Sequence, residues 1–283
     1  MTPRQDAVVL PNATTRIFPI GGLSIAVHDT GGSKPAIFFV HGNSASSRVW
    51  RKQFDGPLAA SHRLIAIDLP GHGASSRTPE ALRASTYNLP GYANVIVEAA
   101  RMCGADSAIF IGWSLGGHVL LEAAGRLPAA RGILIFGAPP IAFPPDMSAF
   151  LKLGLGFVPD LTEAQAKDYA SENFVAGEKD IPDSFVADVL ATDGAARAQL
   201  GASLAPDGYA DEVQIVAAMR TPLAILQGQG EQVVNPAYLD KLTIPALWRG
   251  KVQIVPGAGH AIQWEQAARF DALVSEFARD CGI

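Results

Sequence analysis

The strongest chemical signal in the chain is a serine held between two glycines at the end of an apolar run. Gly112-Trp113-Ser114-Leu115-Gly116 follows Ala108-Ile109-Phe110-Ile111 and opens into Gly117-His118-Val119, a helical continuation. A Gly-x-Ser-x-Gly sequence at a strand–turn–helix junction makes a sharp turn that lifts the serine oxygen into the open. The turn is too tight for a Cβ on either side, which is why the glycines are there. Ser114 is therefore the candidate nucleophile.

A serine hydroxyl attacks a carbonyl only when a base takes its proton. Of six histidines, His28, His41, His62, His72, His118 and His260, only His260 follows the last predicted strand, in Pro256-Gly257-Ala258-Gly259-His260. The chain order serine, acid, histidine requires a base there. The acid that orients it is expected after the apolar run Leu223–Leu226, where Glu231 is the carboxylate in Gly228-Gln229-Gly230-Glu231-Gln232-Val233. The other common acid position, Gly137-Ala138-Pro139-Pro140, offers none, and Glu265 reads as a surface or capping residue of the final helix. The oxyanion of an acyl-transfer intermediate needs backbone N–H donors. Those of Leu115, directly after the serine, and of Asn43, in Val40-His41-Gly42-Asn43-Ser44, are the candidates. The Asn43 side chain either enters the pocket or shapes its turn. His41 and His72 read as loop braces, and His118 as a packed or partly exposed helix residue. No metal-binding spacing of His or Cys occurs, and no glycine-rich nucleotide cradle follows the first long strand, so neither a metal nor a nucleotide cofactor is expected.

Eight short apolar runs can position these residues: Thr15–Ile20, Leu23–Val27, Pro35–Val40, Arg63–Ile67, Ser107–Ile111, Gly132–Phe136, Leu223–Leu226 and Val252–Val255. The first two are joined at Gly21-Gly22, a hairpin signal. Most of the others are continuous rather than alternating, the pattern of strands covered on both faces. Amphipathic stretches at Gly91–Met102, Leu115–Arg126 and Gln263–Asp280 fall between or after them. The alternation predicts an α/β fold with a mostly parallel eight-stranded sheet and helices on both faces. From Pro139 to Met219 only helix-like pieces occur. Residues 139–219 are thus expected as a helical lid, and residues 1–138 and 220–283 as the core. The run Phe150–Val158 either lines an acyl-chain groove or packs that lid onto the core.

The 283 residues suit one large core with an insertion, and 48% hydrophobic against 17% charged residues excludes a disordered chain. A net charge of −5, without a Lys/Arg cluster, gives no basis for binding nucleic acid or an anionic membrane. Cys103 and Cys281 match no redox spacing and suit a reducing compartment. Met1–Asp6 lacks a signal-peptide layout, and no apolar run approaches the ~18 residues of a membrane span. The expectation is a cytoplasmic enzyme.

Taken together, these residues resemble the α/β-hydrolase superfamily over the full chain. Within it the chain resembles the metal-independent N-acyl-homoserine lactonases, which open the lactone ring of bacterial quorum-sensing signals. The resembling segments are His41–Ser46, Asp68–Gly73, Gly112–His118, Gly137–Pro140, Thr192-Asp193-Gly194-Ala195-Ala196-Arg197 and Leu247-Trp248-Arg249-Gly250-Lys251. Gly230 stands where an aspartate is common in that group. The resemblance implies a Ser114–Glu231–His260 triad, no cofactor, a small-molecule acyl substrate, and substrate contacts from Asn43, Trp113 and Tyr169. Two other readings stay open: a carboxylesterase or other acyl hydrolase with the same triad, and a ligand receptor on a hydrolase fold. Enzymes of this fold with an aspartate nucleophile are excluded by Ser114.

Overall fold

The computed structural model describes residues 10–205 and 208–283; the expectation for Met1–Asp6 lies outside them. Eight strands form one sheet: β1 Thr14–Ile20, β2 Leu23–Asp29, β3 Ala36–Val40, β4 Arg63–Ile67, β5 Ile109–Trp113, β6 Gly132–Phe136, β7 Leu223–Gly228 and β8 Gln253–Val255. Their order is β1-β2-β4-β3-β5-β6-β7-β8. The β1–β2 and β2–β4 pairs are antiparallel and the rest parallel. Gly21 (φ 57°) and Gly22 (φ 78°) make the β1–β2 turn. Two successive left-handed residues match the twist of the flanking strands.

The apolar runs become central strands because alternate side chains enter two separate cores. Phe38, Val40, Phe110, Ile133 and Ile225 pack on one face with Tyr92 and Ile96. Ile37, Phe39, Ile109, Leu134 and Leu226 pack on the other with Trp50, Phe270 and Phe277. The covering helices are α1 Leu89–Met102, α2 Leu115–Ala123 and, last in the chain, α7 Ala267–Asp280. The expected helix over Leu115–Arg126 tightens to a 3-10 turn after Ala123. The stretch expected as one helix over Gln263–Asp280 is broken at Gln266 (φ −123°, ψ 50°), leaving a separate turn over Ile262–Glu265. Gln266 reaches back to donate to the Gly257 carbonyl at 2.9 Å, tying down the loop before His260.

Between β6 and β7 lie α3 Glu163–Ser171, α4 Asp183–Ala191, α5 Gly194–Ser203 and α6 Glu212–Ala218. Among the described residues this segment has no strand beyond an isolated bridge from Phe150 to Val234. Buried polar contacts clamp it to the sheet side. Asp193 accepts from the Tyr87 hydroxyl at 2.8 Å, and its N–H donates to the Gly71 carbonyl at 2.9 Å. Asp188 accepts from Ser46 at 2.7 Å and pairs with Arg48. Arg197 donates to the carbonyls of Val158, Pro159 and Val189 at 2.7, 2.6 and 3.0 Å. The Thr192–Arg197 motif is therefore a clamp: Asp193 faces the sheet side, and Arg197 ties the turn before α3 to α4. Among the described residues no helix is long and apolar enough to cross a membrane.

Asp271 on α7 is buried and accepts from Gln53 Nε2 at 3.2 Å. Burial pushes its carboxyl from 3.8 up to about 6, against the weaker opposing pull of Gln53. The folded chain therefore holds this proton more tightly than the unfolded chain. The associated stability is fully present below pH 3.8 and is lost as pH rises through about 6. Asp271→Asn should remove that loss. Urea denaturation at pH 5 and pH 8 is expected to show the variant gaining on the wild type as pH rises, by on the order of 1–2 kcal/mol at pH 8. A pH-independent difference would show that Asp271 is not the titrating group.

Candidate active site

Ser114 sits between β5 and α2 at φ 53°, ψ −122°, outside the regions that L-residues favour. Its N–H is anchored to the Phe136 carbonyl at 2.9 Å. The strain is imposed by packing on both sides. A Cβ at Gly112 would stand 2.5 Å from the Gly116 carbonyl oxygen, and one at Gly116 would collide with that of Val40. Among the described residues the Ser114 hydroxyl has no hydrogen-bond partner, and Ser114 lines a cavity.

His260 lines the same cavity from the loop after β8. Its Nδ1 lies 2.9 and 3.0 Å from the two Glu231 carboxylate oxygens, and both side chains are almost fully buried. Burial opposes ionisation of Glu231. The charge and hydrogen bond of His260, with the Val233 and Val234 N–H groups, outweigh it and hold the carboxyl below its ordinary value. The Val233 N–H donates at 2.8 Å. That carboxylate assigns the proton of the neutral imidazole to Nδ1 and leaves Nε2 as the basic nitrogen.

Three residues position this pair without an obvious sequence signal. The Trp113 indole N–H donates to the His260 carbonyl at 2.9 Å, with the rings 5.7 Å apart. Gly137 (φ 61°) leaves room for the imidazole, since a Cβ there would stand 2.5 Å from His260 Cε1. Glu265 is no surface or helix-capping residue. It accepts from the Gly259 N–H at 2.7 Å and the Val175 N–H at 2.9 Å, satisfying two loop donors that strand and helix pairing leave free. Gly230 is explained by the same neighbourhood: a Cβ there would press on Val175 Cγ1 at 2.9 Å.

Beside Ser114 lie the two N–H groups singled out in the sequence. Those of Asn43 and Leu115 donate to no acceptor among the described residues, and both residues line the cavity. Gly42 lets the Asn43 loop come close, because its Cβ would stand 3.1 Å from Ser114 Cβ. The Asn43 side chain bonds both within its own turn and beyond it: its oxygen accepts from the Ser44 hydroxyl at 3.3 Å. Its amide donates to the Gly156 carbonyl at 2.7 Å, joining the loop after β3 to the segment between β6 and β7. Tyr169 on α3 is half-buried against Gly156 and lines the cavity, its phenol pushed up to about 12 by burial. His41 holds the loop from beneath, with Nδ1–H donating to the Gly42 carbonyl at 2.7 Å and Nε2 accepting from the Leu69 N–H at 3.0 Å. His72, 3.0 Å from the Pro70 carbonyl, is lowered by burial to about 3 and stays neutral.

The cavity measures about 110 Å³. Beyond Ser114 its wall is largely apolar, with Leu89, Ile141, Met147, Phe150, Leu153 and Phe157. The Phe150–Val158 run divides its work: Phe150, Leu153 and Phe157 line the cavity, while Leu151 is 58% exposed. Lys152 and Glu172 also line it and pair at 2.7 Å. A serine, a carboxylate-held imidazole and two unpaired N–H groups around one cavity are the parts that acyl transfer requires.

Known proteins share this arrangement of fold and chain. Two structures of N-acyl homoserine lactonase AidH are similar to this chain. One is a point mutant complexed with N-hexanoyl homoserine lactone and the other is complexed with N-butanoyl homoserine. Both have a TM-score of 0.89 and 32% identity, and they cover 95% of this chain and 98% and 97% of theirs. The pimeloyl-(acyl-carrier protein) methyl ester esterase of Xylella fastidiosa (strain M12) is 36% identical over 109 residues, so that match spans only 38% of either chain. The 2-hydroxymuconate semialdehyde hydrolase of Pseudomonas sp. (strain CF600) is 24% identical over 278 residues, 90% of each chain. The model of the alpha/beta hydrolase family matches residues 37–273, and the chain belongs to that family.

Proposed function

We propose that this hydrolase opens the lactone ring of N-acyl-homoserine lactones through an acyl-enzyme on Ser114. The observation that carries the reading is the buried His260–Glu231 pair facing the Ser114 cavity, with a glutamate as the acid. In this mechanism His260 Nε2 takes the Ser114 proton as the oxygen attacks the lactone carbonyl. The Asn43 and Leu115 N–H groups receive the resulting oxyanion. His260 then protonates the ring oxygen as the carbon–oxygen bond breaks, leaving an acyl-serine and a free hydroxyl on the same molecule. Water, deprotonated by His260, attacks the acyl-serine and releases the hydroxy acid. Trp113 and Tyr169 complete the substrate contacts.

Residues 139–219 serve as a lid over this site in the proposal, held by the Asn43–Gly156 bond and the Asp193 and Arg197 clamps. The apolar wall at Ile141, Phe150, Leu153 and Phe157 suits an acyl chain. The likeness to the lactonase AidH complexes along nearly the whole chain supports a lactone over an open ester.

The esterase reading has one observation of its own, the local match to a methyl ester esterase. Product analysis by mass spectrometry separates the two. On N-hexanoyl-homoserine lactone the expected product gains one water with the amide intact, and p-nitrophenyl esters are the slower substrates. Ester turnover without ring opening would overturn the lactonase reading. Release of free homoserine lactone would mark an amidase instead.

A further inference from the structure

His118 lines the cavity and takes no part in the chemistry proposed above. It lies on α2 four residues after Ser114, so its Cα is about 6 Å further along the helix axis. Its neighbours there are apolar: the Phe150 ring centroid is 6.2 Å away, and Ile141 belongs to the same wall. Its Nδ1 is committed, lying 2.9 and 3.1 Å from the carboxylate oxygens of Glu212 on α6. Glu212 is completely buried, and the same oxygen accepts the Ile141 N–H at 2.9 Å. The His118 side chain is 12% exposed, and its Nε2 has no partner among the described residues. A polar nitrogen is thus held toward an otherwise apolar stretch of the acyl pocket by a dedicated buried carboxylate.

We propose that His118 Nε2 recognises a hydroxyl group on the acyl chain of the substrate. This rests on the reading that an acyl group occupies the cavity. With Nδ1–H given to Glu212, the neutral ring presents a lone pair at Nε2. A hydroxyl donates to that lone pair, and it can equally accept from Nε2–H when the ring is charged. A keto oxygen accepts only, so it gains nothing from the neutral ring. The axial separation of about 6 Å from Ser114 matches the third carbon of the acyl chain, which in a lactone substrate lies five bonds from the carbonyl that Ser114 attacks. Glu212 is then a positioning residue that fixes the tautomer and the ring plane.

The test compares kcat/KM for N-(3-hydroxyhexanoyl)- and N-hexanoyl-homoserine lactone, with methyl 6-hydroxyoctanoate and methyl octanoate as an ester pair that sets the hydroxyl-bearing carbon the same five bonds from the scissile carbonyl. The enzymes are the wild type, His118→Phe and His118→Gln. Glutamine keeps a donor for Glu212, and a ratio of two substrates on one preparation cancels any loss of folded protein. The wild type is expected to favour the hydroxylated chain by about threefold to tenfold, the worth of one hydrogen bond, and both variants to lose that preference. The 3-oxo chain should show a smaller preference. An unchanged ratio in both variants overturns the inference. Inert lactones with a His118-dependent ratio on the esters refute the lactonase reading and uphold this one. Should neither series turn over, dissociation constants for the lactone pair on the same three proteins supply the ratio instead: a preference lost in both variants upholds the inference, and an unchanged one overturns it.

Discussion

Ser114→Ala is expected to lower kcat on N-hexanoyl-homoserine lactone by about 10⁵- to 10⁶-fold, the scale seen when a triad nucleophile is removed. The residual rate comes from the Asn43 and Leu115 N–H groups and from substrate binding, neither of which the substitution touches. The fold is expected to survive. The Ser114 hydroxyl has no hydrogen bond to lose among the described residues, and alanine keeps the same Cβ. Thermal melting should therefore match the wild type within a few degrees while product formation disappears. Ser114→Gly goes a step further: without a Cβ, φ 53° and ψ −122° cost little, so this variant should be inactive and at least as stable as the wild type. Such a result would show that the strained backbone is retained for chemistry at a cost in stability. Ring opening within tenfold of the wild-type rate in Ser114→Ala would remove Ser114 from the mechanism.

The sheet and the order of the site residues were legible because they depend on local pattern. Central strands such as Ile37–Val40 are apolar on both faces, and a continuous apolar run states this directly. The Ser114 turn carries its own glycines, and His260 follows from chain order after β8. What escaped the sequence depends on contacts between distant segments. Gly137 is one glycine among 28 until the His260 ring is seen beside it. Glu265 looks like a helix-terminal acid until Gly259 and Val175 present their N–H groups to it. His118 reads as a helix residue until Glu212, brought round by the segment between β6 and β7, meets its ring. The short turns Arg51–Phe54 and Pro57–Ser61 hold too few residues to display a 3.6-residue period.

In the proposed mechanism the glutamate at position 231 orients His260, and Glu231→Gln tests that role with nearly the largest effect. The carboxylate accepts Nδ1–H of His260 through two oxygens at 2.9 and 3.0 Å. Glutamine can turn its amide N–H toward Nδ1, which then becomes the acceptor and moves the imidazole proton to Nε2. In that tautomer His260 cannot take the Ser114 proton, and the loss expected in kcat is about 10³- to 10⁴-fold, with KM little changed. The Val233 N–H still finds an acceptor in the glutamine oxygen, so the loop should hold. Glu231→Asp retains the charge but shortens the reach by one methylene and should fall between wild type and glutamine. An aspartate at Gly230 would bring its Cβ to 2.9 Å from Val175 Cγ1, so Val175 must shift to admit it and the new carboxylate is not set where Glu231 stands. The double variant Gly230→Asp with Glu231→Gln is therefore expected to be no more active than Glu231→Gln alone. Recovery of activity in the double variant would show that the acid loop tolerates either position and that Glu231 is not the sole residue able to orient His260.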